Sequence, residues 1–212
     1  MSEKFRNKYR IPSARWQQWD YASEGIYFIT ICTKNRQHFF GEIIDGKMIL
    51  NDFGEIVQNE WIKSIEMRPD MHLELGGFVV MPNHFHAVIM IGENRYNTKR
   101  NVTNNCGRGC GCGCGCGCDR DAMHCVSTGN RHENTTIQPK NKFGVQSKNL
   151  ASIVRGFKSA VTTYSKKHGI SEFQWQARYH DHVIRNSFSF ERIQNYIINN
   201  PKNWKKDTFN KY

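Results

Sequence analysis

Met81-Pro82-Asn83-His84-Phe85-His86-Ala87-Val88-Ile89 decides how this chain is read. Pro82-Asn83 is a turn signal set between two strand-sized apolar runs. It predicts one strand over 72–81 and a second over 84–91. Side chains on a strand alternate between its two faces. His84 and His86 therefore project to one side, ~7 Å apart along the strand at ~3.3–3.4 Å per residue. Phe85, Ala87 and Ile89 project to the other. Two neighbouring imidazoles can share one divalent metal, since neutral histidine is the commonest metal ligand. Two ordinary strand histidines give the same pattern, so the pair alone does not define a site.

Working outward, 25–33 reads as a strand, with Ile26, Phe28 and Ile31 among β-branched residues. Phe39–Ile44 and Lys47–Leu50 around Asp45-Gly46 read as a hairpin. Asn51 or Asp52 can cap a helix running to about Glu66, with Ile56, Trp61 or Ile62, and Ile65 near helical spacing. Leu150, Ile153, Val154, Phe157, Val161 and Tyr164 follow the i, i+3, i+4, i+7 rule, so Ser147 or Asn149 starts a helix that Gly169 ends. A strand is expected at about 179–184. Ser187 or Ser189 caps a last helix that stops at Asn200, before Pro201. The order β, hairpin, α, β, β, α, β, α suits an α+β fold, an antiparallel sheet with helices on one face.

Charge and cysteines narrow the function. The net charge is +11, but it is uneven. Residues 1–92 carry 10 basic against 11 acidic side chains, 93–145 carry 8 against 4, and 146–212 carry 12 against 4. The excess thus lies mainly in the last third, where it suits phosphate contacts. Seven of the eight cysteines fall between Cys106 and Cys125, largely in a Cys-Gly repeat. The spacing matches neither a disulfide framework nor a paired C-x-x-C zinc site. Alternating thiolates can bind soft metals, but such low-complexity tracts also arise with no specific role. With its polar flanks, 93–145 reads as a disordered insertion within one domain spanning 1–212. No apolar run reaches the ~18–20 residues of a membrane helix. The N-terminal Met-Ser-Glu-Lys-Phe-Arg leads into no apolar signal segment. A cytoplasmic protein with no membrane partner is expected.

The last predicted helix holds a second feature, Tyr196-Ile197-Ile198-Asn199-Asn200-Pro201. Tyr196 and Asn200 stand four apart and share a helix face, beside a stripe of Ile193 and Ile197. A tyrosine hydroxyl can be a nucleophile that becomes covalently attached. The Asn200 amide oxygen can complete a metal site. Alternatively, Tyr196 is an ordinary packing residue. His180 and His182 form a rival pair two apart on a predicted strand.

Together, His84-Phe85-His86 on a strand and Tyr196 on a C-terminal helix resemble the single-tyrosine HUH transposases. The REP-associated tyrosine transposase branch (IS200-like) is the nearer resemblance. It extends over Tyr27–Thr33, Phe40-Gly41-Glu42, Val80–His86, Ile153–Ser159, Trp175-Gln176, His182–Asn186 and Tyr196–Pro201. It covers nearly all of 1–92 and 146–206 in order. The Cys-Gly stretch has no counterpart in it.

The resemblance implies an RRM-like (ferredoxin-like) core and a divalent metal, Mg²⁺ or Mn²⁺, held by His84, His86 and Asn200. It implies that Tyr196 attacks single-stranded DNA beside a hairpin, forming a 5′-phosphotyrosine link and releasing a 3′-OH. It also implies that the chain can act as a homodimer, with Tyr196 used in cis or in trans. Arg155, Lys158, Arg178 and Arg185 are the DNA-binding candidates, and Trp175 and Tyr179 are candidate base-stacking residues. The competing reading is a non-catalytic DNA- or RNA-binding protein on the same fold. The chain lacks an RNP1-type run, which argues against an ordinary RRM. A two-histidine phosphoesterase would need two H-x-Ser/Thr motifs, and His84 is followed by Phe-His instead.

Overall fold

Alternation along two strands divides this protein into an apolar side and a chemical side. The structure is a computed structural model, describing Trp16 and residues 19–98 and 147–210. β1 (Gly25–Cys32) pairs antiparallel with β5 (His84–Ile91) in a register that sets Thr30 opposite His86 and Ile31 opposite Phe85. Tyr27, Ile29, Ile31, Phe85, Ala87 and Ile89 are fully buried on one face. Phe28, Thr30, Cys32, His84, His86 and Val88 occupy the other, because each is one residue out of phase.

β4 (Leu73–Met81) and β6 (His180–Ile184) complete the sheet, in the order β4-β5-β1-β6, all antiparallel. Leaving aside the separate hairpin of β2 (Gly41–Ile44) and β3 (Lys47–Leu50), this is the ferredoxin-like order. β4 carries a bulge between Leu75 and Phe78. One extra residue there reverses its alternation, so both Leu75 and Phe78 pack on the apolar side.

α1 (Asp52–Ile62) and α2 (Leu150–Lys167) cover the apolar side. α1 buries Phe53, Val57 and Trp61, one residue per turn, and Trp61 meets Phe85 and Phe157 edge-on. It ends at Ile62, four residues short of the expected limit. Ile62 and Ile65 are exposed, so no apolar stripe carries the helix further. α2 buries Leu150, Ile153, Val154, Phe157 and Val161, as the spacing predicts. Its start is a reciprocal capping box of Asn149 and Ser152.

α3 (Ser187–Asn199) lies on the opposite face, placing Ile193 and Ile197 against Val88 and Ile184. Its cap is Asn186, whose side chain accepts from the Ser189 amide at 2.8 Å; neither Ser187 nor Ser189 fills that role. Asn186 wins because its short amide oxygen reaches the third amide of the helix without lengthening the turn. The chain then continues in two 3-10 turns, Pro201–Lys206 and Thr208–Asn210, that were not anticipated.

Of the expected insertion, residues 93–98 are described and form a turn in which Asn94 is buried and bonded to the Met71 and Gly92 carbonyls. Asp70 ties this turn to the start of α2, accepting from Tyr96 and from Lys148. Residues 99–146, with the whole Cys-Gly stretch, lie outside the described residues. The described residues all belong to one compact unit. Among them no helix is long and apolar enough to cross a membrane.

Gly54 is required by close approach. The Phe40 carbonyl oxygen lies 2.1 Å from where a Cβ of Gly54 would sit. Asn51 holds α1 there, through its amide to the Phe39 carbonyl and its oxygen to the Gly54 amide. Gly54→Ala would gain up to about 1 kcal/mol of helix propensity. The backbone clash outweighs it, so we expect a net loss of about 1–3 kcal/mol, measured as a lower urea midpoint with an unchanged slope.

Candidate functional site

The polar face of β1 and β5, the last turn of α3 and the C-terminal 3-10 turns meet around the two histidines. His84 and His86 are 0% and 1% exposed, with ring centroids 4.5 Å apart. The pairing that sequence alternation predicts is therefore present, and it is buried rather than open. α3 brings Tyr196 to them: its hydroxyl lies 3.2 Å from His86 Nε2, across 110 residues of sequence. Phe28 stacks on His86 and meets Tyr196 edge-on, fixing both rings. Asn200 is the C-cap residue of α3 and is 2% exposed.

Each histidine is held from behind. His86 Nδ1 is 2.8 Å from the Thr30 hydroxyl, the register partner of His86. His84 Nδ1 is 2.8 Å from Asn83 Oδ1. Two buried acceptors remain without a partner, His84 Nε2 and Asn200 Oδ1. Buried polar groups are nearly always paired, and an unpaired one costs about 1–3 kcal/mol. An unpaired nitrogen within the histidine pair, with a second unpaired acceptor on Asn200, fits a cation. Two imidazole nitrogens and an amide oxygen form a neutral donor set able to hold a divalent one. Among the described residues, no three His, Cys, Asp or Glu side chains gather as a metal site, so an amide oxygen is essential to this reading.

The electrostatics agree with neutral imidazoles. Burial, and then the neighbouring His86, hold His84 well below the usual histidine range. Burial, and then His180, push His86 down to about 3. The Tyr196 hydroxyl is raised by burial and by the Asp207 carboxylate, and is partly drawn back by Asn200. At neutral pH Tyr196 is therefore a phenol.

The sequence did not point to Thr30, Asn83, Asp207 or Phe209. Phe209 lies 4.6 Å from His84 and 5.9 Å from His86, ring to ring, and Arg36 sits 4.1 Å above it. Only Thr30 had a usable signal: it falls on the same strand parity as the polar face, in a strand otherwise rich in aliphatic residues. The other three are brought in by a turn and a tail that carry no periodicity.

Tyr196 is 42% exposed and opens onto a cleft of about 490 Å³. Arg36, Gln176, Arg178, Tyr179 and His180 line it. The rival pair thus has one member, His180, at the cleft rim, and both His180 and His182 are exposed. The four cation candidates do not converge. Arg178 is in the cleft. Arg155 and Lys158 line a groove of about 840 Å³ along α2, which borders the cleft through Gln176 and Tyr179. Lys158 Nζ donates to the Gln176 carbonyl at 2.6 Å, and burial lowers its pKa. Arg185 sits beyond β6, its guanidinium 4.1 Å above Trp16. Trp175 packs among Phe40, Phe157 and Phe173 at the core edge.

Comparison with known proteins gives one full-length relative. The chain is 33% identical over 195 residues to a protein of Haemophilus influenzae described as uncharacterized, covering 92% of this chain and 90% of that one. Among solved structures, one described as the REP associates tyrosine transposase bound to a REP hairpin superposes with a TM-score of 0.48 at 19% identity. That superposition covers 96% of this chain and 74% of the other. No protein-family model matches the chain.

The depressed histidine pKa values set a pH dependence. Unfolded histidine titrates near 6.5, whereas folded His84 and His86 do so well below that. The unfolded state then binds more protons, so stability is full above pH 6.5 and falls as pH drops toward the folded values. The slope should approach about 1.4 kcal/mol per pH unit for each histidine. Urea titrations from pH 7.5 to 4.5 will show it, and His86→Gln should remove about half of the slope.

Proposed function

The chain belongs to the same family as the Haemophilus influenzae protein, and from its site we propose a metal-dependent transposase/endonuclease of single-stranded DNA. One observation carries the reading. Tyr196, a half-exposed phenol, touches His86 of a buried histidine pair whose other member, His84, keeps an unpaired Nε2. That combination supports giving His84, His86, Tyr196 and Asn200 the roles that the HUH resemblance of the sequence implies.

His84, His86 and Asn200 would hold the metal, Mg²⁺ or Mn²⁺. Mn²⁺ suits imidazole nitrogen better, since Mg²⁺ prefers oxygen donors. A divalent cation there supplies Lewis-acid polarisation of the scissile phosphate. Tyr196 Oη attacks phosphorus, one phosphodiester bond breaks, and one phosphotyrosine bond forms. The 5′-phosphate stays on Tyr196 and the 3′-oxygen leaves as a hydroxyl after taking a proton. Because the number of phosphoester bonds is conserved, the reverse step rejoins DNA without ATP. His86 Nε2 meets the Tyr196 hydroxyl in the structure, so this contact must yield when that lone pair serves as a ligand. The raised Tyr196 pKa means that the phenol gives up its proton during attack, and one proton is taken up by the departing 3′-oxygen, so the step is proton-neutral overall.

DNA would run from the cleft, past Arg178 and Tyr179, toward Arg155 and Lys158 on α2, with Arg185 as an outlying phosphate contact. The substrate is hairpin DNA with adjoining single strand. Dimerisation, with Tyr196 acting in cis or in trans, belongs to the same proposal, as does the assignment of 93–145 as an insertion the chemistry does not need.

Incubation with labelled hairpin oligonucleotides bearing single-stranded flanks, plus Mn²⁺ or Mg²⁺, should yield an SDS-resistant protein–DNA adduct. Tyr196→Phe and His84→Ala should abolish it. An adduct persisting in Tyr196→Phe would remove the nucleophile assignment, and DNA binding with no adduct in the wild type would favour the non-catalytic module.

Salt titration separates phosphate contacts from folding effects. Arg178→Ala and Arg155→Ala should each lower the slope of log K against log salt by about 0.7 on single strands, with the melting temperature measured alongside to separate a lost phosphate contact from a lost internal one.

A further inference from the structure

The hydrogen bonds of Asn83 bear on the proton of His84. Asn83 is fully buried in the turn between β4 and β5. Its Nδ2 donates to two carbonyl oxygens, Arg36 O at 3.0 Å and Phe209 O at 2.8 Å. Its own carbonyl accepts from the Thr33 amide and hydroxyl, each at 3.0 Å. The amide cannot be flipped, because Oδ1 would then face two oxygens that only accept. Oδ1 must therefore be the atom 2.8 Å from His84 Nδ1. An amide oxygen only accepts, so Nδ1 must carry the hydrogen. A neutral imidazole has one such hydrogen, which leaves Nε2 as a bare lone pair. This is the buried nitrogen without a partner.

We propose that Asn83 is a positioning residue that locks His84 in the Nδ1–H tautomer and presents its Nε2 lone pair to the site. His86 has no such lock. Both of its neighbours, Thr30 and Tyr196, are hydroxyls that either donate or accept. The two histidines are thus unlike: His84 is committed in advance, whereas His86 can exchange its hydrogen between ring nitrogens. Asn83 also joins three segments, since its amide holds the 3-10 turn at Arg36 and the C-terminal turn at Phe209. Displacing either turn loosens the group that orients His84. The tautomer follows from hydrogen bonding alone; its use for metal binding rests on the function proposed above.

The test is long-range ¹H–¹⁵N NMR of ¹⁵N-histidine-labelled, metal-free protein, with His84 assigned by its loss in His84→Gln. Wild-type His84 should show a protonated Nδ1 and an unprotonated Nε2. Asn83→Ala should lose this fixed pattern. An Nε2–H tautomer in the wild type overturns the proposal, and so does an unchanged pattern in a folded Asn83→Ala. The wild-type spectrum decides even if Asn83→Ala does not fold. Mn²⁺ affinity, read from the EPR signal of free Mn²⁺, should fall about 10–100-fold in Asn83→Ala. Should the wild type bind no Mn²⁺, the metal reading falls, and the spectrum still decides the role of Asn83.

Discussion

Thr30 stands directly opposite His86 because β1 pairs with β5 in one register, and the site is built on that fact. A slip of one residue would turn His84 and His86 into the apolar core and bring Phe85 and Ala87 out. Tyr27, Ile29 and Ile31 on β1, with Phe85, Ala87 and Ile89 on β5, forbid the slip, since each is fully buried under α1 and α2. The hydrophobic effect thus fixes the register, and the register fixes where the imidazoles point. The same pairing supplies Thr30, so the strand that carries the histidine and the strand that orients it are set by one interaction.

The polar face is closed by elements that arrive later in the chain. α3 docks through Ile193 and Ile197 on Val88 and Ile184, a small apolar cluster separate from the main core. That docking brings Tyr196 to His86. Trp204 and Phe209 then cover His84, with ring centroids at 5.9 and 4.6 Å. His84 Nε2 and Asn200 Oδ1 are thereby left buried and unpaired. Burying them so costs stability, and the main core on the other face of the sheet is where that cost is offset.

Much of the scaffold was legible in the sequence because it rests on periodicity. The 3.6-residue rhythm of Leu150, Ile153, Val154, Phe157 and Val161 gave α2, and alternation across 84–91 gave β5 and its two faces. Asn186, an Asx cap, was passed over for the adjacent serines because both types favour that position. The end of α1 was misplaced because Ile65 looks like a continuation of a stripe that burial does not extend. His84, His86, Tyr196 and Asn200 were legible as residues, and the structure brings the first three into contact. Arg155, Lys158, Arg178 and Arg185 read as one basic set, yet they occupy three separate surfaces. Net charge over a segment carries no information about direction.

The sequence by itself determined the alternation that separates core from site, the apolar stripe of α2, and the identity of the paired histidines, because local period and side-chain chemistry suffice for these. Only the tertiary structure decided that Tyr196 meets His86, that Asn83 and Thr30 stand behind the two imidazoles, and that the C-terminal turns cover them. Those contacts join residues as far apart as 110 and 126 positions. They depend on which apolar surfaces find each other, and no local pattern records that.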